Sequence, residues 1–256
     1  MTNILVCVKR SADITGEVVL TTDGSALDGR YSGYAMSAHE LAALEIAAIL
    51  AEAGGGSVTV LTLGEDDAVE QLREALSVGA ADAVHIRADP SRYGPGDVAA
   101  EIAGVVRTRQ ADGTAYDLIL LGNDAADTGN FQTGIRLAYA LDRPVVAGVQ
   151  QVEVTDGIAT LHVGSADGGE TYEVALPAVA TVLEGGVLPR YPSLRGRLRA
   201  KKAPVEQVSP AAEPRGTAAL GLRVPTAPPS QVTVLGDGPD AAPALVQVLR
   251  KSGVVS

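Results

Sequence analysis

The sequence predicts an α/β domain built on a mainly parallel sheet, extended by antiparallel strands and followed by a C-terminal arm. Three observations predict it. Short β-branched runs alternate with segments of helical period. After about residue 144 a turn signal lies between two strand-like runs, and after Pro189 the core pattern gives way to Pro- and Ala-rich sequence.

The first strand is expected at Ile4 to Val8, with Cys7 as a small buried side chain inside it. Leu41, Leu44 and Ala48 recur on one face of a helix that Gly54-Gly55-Gly56 stops. Further strands are expected at Val58 to Leu63, Ala83 to Ile86 and Leu118 to Leu121. The helices between them are marked by Val69, Leu72 and Leu76, then by Val98, Ile102 and Val105, and each can cover one face of the sheet. Val145 to Val154 and Ile158 to Val163 flank Thr155-Asp156-Gly157 as a hairpin, and Tyr172 to Leu176 supplies another strand. From Pro189 onward, through a basic stretch at Arg195 to Lys202 and on to Pro229, the chain reads as an extended arm. Gln231 to Leu235 and Ala241 to Lys251, with Leu245, Val248 and Leu249 on one face, read as a terminal strand and helix that dock on this chain or another.

Composition narrows the function. The 256 residues are 46% hydrophobic, enough for one sizeable core plus an appendage. A net charge of −11, one Phe and no Trp argue against nucleic acid as a partner. The apolar runs are far shorter than the ~20 residues a membrane span needs, and no leader pattern opens the chain, so no membrane insertion and a cytoplasmic location are expected.

The most informative stretch runs from Leu121 through Gly122, Asn123, Asp124, Ala125, Asp127, Thr128, Asn130, Gln132 and Thr133 to Gly134, leaving the fourth strand and entering a helix. Ligands of open α/β sheets bind beyond the carboxyl ends of the strands, and a helix start offers unpaired N–H groups to a phosphate. The other reading is an ordinary connection with Asn130 as N-cap. No Walker sequence is present and no G-x-G-x-x-G follows the first strand, so neither a P-loop nor a standard dinucleotide fold is expected. No catalytic residue and no metal-ligand set is expected either.

Four segments, in order and together spanning about residues 3 to 204, carry a family resemblance. They are Ile4 to Arg10; the Gly122 to Gly134 loop; Asp167-Gly168-Gly169-Glu170-Thr171 followed by Leu176-Pro177-Ala178-Val179; and Pro189-Arg190-Tyr191 followed by Ala200-Lys201-Lys202. In these the chain resembles electron transfer flavoprotein beta subunits. The resemblance implies a Rossmann-like domain of the adenine nucleotide alpha-hydrolase type. It further implies a heterodimer whose alpha subunit holds most of the FAD, while the beta subunit buries an AMP. Carried over, the AMP site comprises Cys7, Ser37, Ala38, His39, Glu40, Leu63, Gly122, Asn123, Asp124, Ala125, Asp127, Thr128, Asn130, Gln132, Thr133 and Gly134. The chain departs from the family where Ser37-Ala38-His39 replaces Asn-Pro and an aromatic residue, where Asn123-Asp124 replaces a Lys or Gln pair, and at Gly164, where a basic residue is common. His39 reads either as a nucleotide contact or as a polar residue before a helix. Lys9 and Arg10 read either as a structural pair or as contacts toward the cofactor interface.

The resemblance also implies a recognition loop whose Leu194 inserts into a flavin-dependent dehydrogenase, with Arg190, Arg195 and Arg197 around it. The basic strip reads alternatively as solvated surface. The expected organisation is a nucleotide-binding α/β domain with its hairpin extension over 1–188, a recognition loop over 189–204 and an arm over 205–256 that packs on the alpha subunit. The implied role is an electron carrier subunit, not an enzyme. Two rivals are a beta subunit that holds a second FAD in an electron-bifurcating complex, and a stand-alone adenine-nucleotide sensor.

Overall fold

A computed structural model of the chain describes residues 1–13, 18–165, 168–217, 220–226 and 232–255. Asp167 of the third motif and Gln231 of the expected terminal strand lie outside the described residues. The elements in order are β1 (Ile4–Cys7), β2 (Ser11–Ala12), β3 (Tyr34–Ala35), α1 (Ala38–Gly54), β4 (Val58–Gly64), α2 (Val69–Val78), β5 (Asp82–Arg87), α3 (Pro95–Ala111) and β6 (Leu118–Gly122). They continue with α4 (Thr133–Leu141), β7 (Val145–Thr155), β8 (Ile158–Ser165), β9 (Gly168–Ala175), β10 (Ala178–Val182), α5 (Leu194–Lys202), β11 (Glu206–Val208) and α6 (Ala242–Lys251).

Nine strands form one sheet in the order β11-β5-β4-β1-β6-β10-β7-β8-β9. From β11 to β7 all neighbours are parallel, whereas β7, β8 and β9 pair antiparallel. The central strands β1 and β4 are buried at every position, because helices cover both faces. One face packs Ile4, Val6, Val60 and Leu118 against Leu44 and Leu72 of α1 and α2; the other packs Leu5, Leu61 and Ile119 against Ile102 and Leu137 of α3 and α4. Gly55 ends α1 in the left-handed conformation, its N–H donating to Ala51 O at 2.9 Å, which releases the chain into β4.

The chain steps from β1 outward to β4 and β5 and then crosses back to β6 on the other side of β1. That reversal opens a crevice at the carboxyl ends of β1 and β6. The crevice is where Cys7 and Gly122 end their strands.

The structure corrects two sequence readings. The strand expected at Tyr172 to Leu176 is β9, and directly after it β10, unread in the sequence, inserts between β6 and β7. The extended arm expected from Pro189 contains a helix, α5, and a parallel edge strand, β11. Helical period did not reveal α5 because the side it packs on α2 is made of Gly196 and Ala200, not of large apolar residues. A Cβ at Gly196 would stand 2.2 Å from Ser77 O, so the close approach of the two helices depends on that glycine.

Residues up to Leu222 belong to this compact unit. Glu101 of α3 accepts the N–H groups of Ala211 at 2.8 Å and Ala212 at 3.1 Å, and Asp97 accepts those of Arg215 at 2.9 Å and Gly216 at 3.0 Å. The second unit begins at Arg223 and carries α6, in which no residue is buried. Val232 to Leu235 form no strand.

Candidate functional site

The floor of the crevice is the end of β1. Cys7 is buried, in register with Leu61 on one side and Leu121 on the other. Burial, with the nearby Glu40 carboxylate as a second cause, pushes its thiol pKa up, so a reactive thiolate is disfavoured. Leu63, buried near the end of β4, shares its apolar cluster.

One wall is the start of α1, closed by a capping box. Ser37 Oγ accepts the Glu40 N–H at 3.2 Å, and Glu40 Oε2 accepts the Ser37 N–H at 2.7 Å. Glu40 has a second task, since its Oε1 accepts the main-chain N–H of Lys9 at 2.6 Å. Desolvation raises the Glu40 pKa to about 7, outweighing the hydrogen bonds from Ser37 and Lys9 that favour the carboxylate. Ala38 is the first residue of α1, and His39 follows it.

The opposite wall is the loop that leaves β6. A Cβ at Gly122 would stand 2.9 Å from Glu40 Cγ and 3.3 Å from His39 Cβ, so a glycine lets the loop touch α1. Asn123 is pinned to β10: its N–H donates to Val182 O at 2.9 Å and its Oδ1 accepts the Thr181 hydroxyl at 2.7 Å. Asp124 Oδ1 stands 2.8 Å from His39 Nδ1, without hydrogen-bond alignment. Lys9 Nζ reaches Asp127 Oδ1 at 2.7 Å across the crevice. Ala125 O then accepts the N–H groups of Thr128 and Gly129 in a tight turn, with Gly129 at φ +56.

Helix α4 begins at Thr133. Gln132, not Asn130, is its N-cap residue, and no side chain caps the start. Gln132 Oε1 instead accepts from Arg136 Nε at 3.0 Å. A Cβ at Gly134 would stand 2.3 Å from Thr181 Cγ2, which seats the helix start directly on β10.

The structure thus brings Cys7, Ser37, Ala38, His39, Glu40, Gly122, Asn123, Asp124 and Asp127 around one crevice, and Gly134, in the first turn of α4 after Gln132 and Thr133, seats that helix on Thr181, which bonds Asn123. Thr181 was not identified from the sequence, since its strand was not read. Lys9, ambiguous in the sequence, holds two walls at once through its amide and its ammonium.

The residues of the expected recognition loop lie elsewhere. Arg190 is engaged within the chain: its guanidinium pairs with Glu45 at 2.9 Å and Glu52 at 2.5 Å on α1, and those hydrogen bonds raise its pKa further. Leu194 opens α5, capped by Ser193 Oγ, which accepts the Gly196 N–H at 3.0 Å, and is exposed. Arg195 and Arg197 are also exposed. No helix among the described residues is long and apolar enough to cross a membrane.

The fold and crevice define an open-sheet α/β protein of the Rossmann-like class. Within that class, residues 28–213 match the electron transfer flavoprotein domain. The electron transfer flavoprotein subunit beta of Bacillus subtilis is 32% identical over 206 residues, covering 80% of this chain and 78% of its own length. That of Syntrophomonas wolfei is 31% identical over 252 residues, covering 97% of this chain and 96% of its own. The caffeyl-CoA reductase-Etf complex subunit CarD of Acetobacterium woodii is 31% identical over 207 residues, covering 79% and 76%. The chain belongs to the electron transfer flavoprotein family, as a beta subunit.

Proposed function

We propose that this chain binds AMP in the crevice between β1 and β6. It works in the cytoplasm with an alpha subunit that holds most of the FAD, and the pair carries electrons from a flavin-dependent dehydrogenase to an acceptor. The flavin supplies the redox chemistry when bound, and this chain acts as a carrier subunit with no catalytic step of its own. The observation that carries the nucleotide reading is the start of α4. No side chain caps it, it lies beyond the carboxyl end of β6, and Gly129, at φ +56, turns the chain toward it. Its first-turn N–H groups suit a phosphate, as does the pairing of Asp127 with Lys9, which offsets the carboxylate charge in the loop. Cys7 and Leu63 give the adenine an apolar floor.

The test is to denature the purified heterodimer and identify the released nucleotides. One AMP and one FAD per heterodimer are expected. FAD held by the beta chain alone would replace AMP by a second flavin, and a pocket without nucleotide would remove the nucleotide reading.

A further inference from the structure

The segment that follows β11 is gripped by two carboxylates of α3. Glu101 Oε2 accepts the Ala211 N–H at 2.8 Å and its Oε1 accepts that of Ala212 at 3.1 Å. One turn earlier in the helix, Asp97 Oδ1 accepts the Arg215 N–H at 2.9 Å and its Oδ2 that of Gly216 at 3.0 Å. A proline precedes each gripped pair, Pro210 before Ala211-Ala212 and Pro214 before Arg215-Gly216. Each proline fixes its own φ and narrows the conformations open to the loose segment. Two successive main-chain N–H groups suit a single anion, and here the chain supplies the anion itself.

Apolar packing does not hold this segment. No residue from 209 to 217 is buried. The Arg92–Glu213 pair, 2.7 Å apart, is exposed at both ends and contributes little. The bonds to Asp97 and Glu101 are of the stronger, charge-assisted kind. The amide of Arg215, with those of Gly216 and Gly94, holds the Asp97 carboxyl below its usual range, so the ionised form is the one that grips. Gly216 permits the approach, since a Cβ there would stand 2.6 Å from Asp97 Oδ2. Beyond the grip, the Leu222 N–H donates to Gly24 O at 2.8 Å, a single main-chain bond at the point where the α/β unit ends.

We propose that residues 209–217 form a strap closed by this double carboxylate clasp, which opens without unfolding the α/β unit and so sets how far the C-terminal unit can reach. Closed, the chain leaves the α/β unit after Leu222. Open, it leaves after Val208, the last residue of β11, and the freed segment spans up to roughly 50 Å when extended. A longer tether lowers the effective concentration of whatever it carries beside a bound partner. The use of the clasp rests on the reading in which the C-terminal unit serves the alpha subunit, whereas its existence does not.

The experiment uses the full-length chain and trypsin, whose cleavage after Arg215 requires the strap to open. Asp97→Asn with Glu101→Gln should speed that cleavage about tenfold or more, with the melting temperature close to wild type. The asparagine oxygen still serves the Gly94 N–H that Asp97 accepts at the start of α3. Ala211→Pro removes a donor from the strap, leaves α3 untouched and should speed the cleavage as well. A wild-type strap cut as fast as that of the double variant would overturn the clasp. So would a double variant that melts far below wild type while Ala211→Pro is cut at the wild-type rate, because the carboxylates would then belong to the fold of α3. Titration with the alpha subunit tests the reach: the double variant should bind it several-fold more weakly at unchanged nucleotide content. Equal affinity with the strap open would overturn the control of reach. Failure of the wild-type chain to bind the alpha subunit would overturn the alpha-subunit reading and the reach with it, while the cleavage rates still decide the clasp.

Discussion

Glu40 Oε1 accepts the main-chain N–H of Lys9 at 2.6 Å, tying the exit of β1 to the first turn of α1 at the crevice. The bond is made by a buried carboxyl whose pKa is raised from 4.5 to about 7. A carboxyl raised on folding keeps its proton in the folded state across that window while the unfolded chain has already lost it. Its contribution is therefore fully present below pH 4.5 and lost as pH rises through 7. The whole shift corresponds to roughly 3 kcal/mol. Denaturant unfolding of the ligand-free chain from pH 4.5 to 8 should show wild type losing stability relative to Glu40→Gln by an amount of that order. A difference between the two that does not change with pH would mean that Glu40 titrates normally.

Gly134 stands against Thr181, and the contact sets where α4 begins. A Cβ at Gly134 would meet Thr181 Cγ2 at 2.3 Å but Thr181 Cβ only at 3.8 Å and Leu121 Cδ1 at 3.5 Å. Gly134→Ala should therefore cost about 1–3 kcal/mol through overpacking and weaken nucleotide retention. Thr181→Ser removes the offending methyl and keeps the hydroxyl that Asn123 Oδ1 accepts. The double variant should recover most of the loss in thermal melts and in bound nucleotide, and strictly additive effects would exclude the contact as the cause.

Arg190 pairs with Glu45, which is nearly buried, and with Glu52, which is exposed. Arg190→Ala removes the guanidinium from the Glu45 carboxylate and leaves it only the main-chain N–H of residue 190, at 3.1 Å. Breaking a buried pair costs ~3–5 kcal/mol, and the Arg190 side chain is 33% exposed, so about 2 kcal/mol is the expected loss once solvent screening is allowed for. Arg190→Ala combined with Glu45→Gln should lose less than the single variant in urea unfolding. An equal loss in both would place the role of Arg190 outside this pair.

These contacts show what the sequence could and could not tell. Strands β1, β4 and β6 were legible because both their faces are buried and their residues are almost continuously apolar. The Gly122 to Gly134 loop was legible because it follows such a strand at the edge where ligands gather. Strand β10 was not, since Ala178 to Val182 is a short, Ala-rich run directly after Pro177, and with it went Thr181, which joins Asn123 to Gly134. The bonds that close the crevice were not legible either. Lys9 meets Glu40 across 31 residues and Asp127 across 118, and no local pattern encodes a pairing at that range.

The last prediction concerns the C-terminal unit. Within that unit α6 buries none of its residues, yet it carries Leu245, Val246 and Val248 exposed on a strongly amphipathic helix. A helix with an unburied apolar face gains little by standing alone, because tertiary packing supplies most helical stability in proteins. The first unit, by contrast, closes its own core by Leu222 and fastens residues 211 to 216 to Asp97 and Glu101. A chain ending at Leu222 should therefore keep the melting temperature of the α/β unit to within a few degrees, while its affinity for the alpha subunit falls by tenfold or more, on the order of 1.4 kcal/mol. Titration of the alpha subunit with each chain, read by sedimentation and by the flavin retained, measures both effects. Undiminished association of the shortened chain would show that residues 223 to 256 do not hold the alpha subunit, and a collapsed melting temperature would show that they complete this chain's own fold.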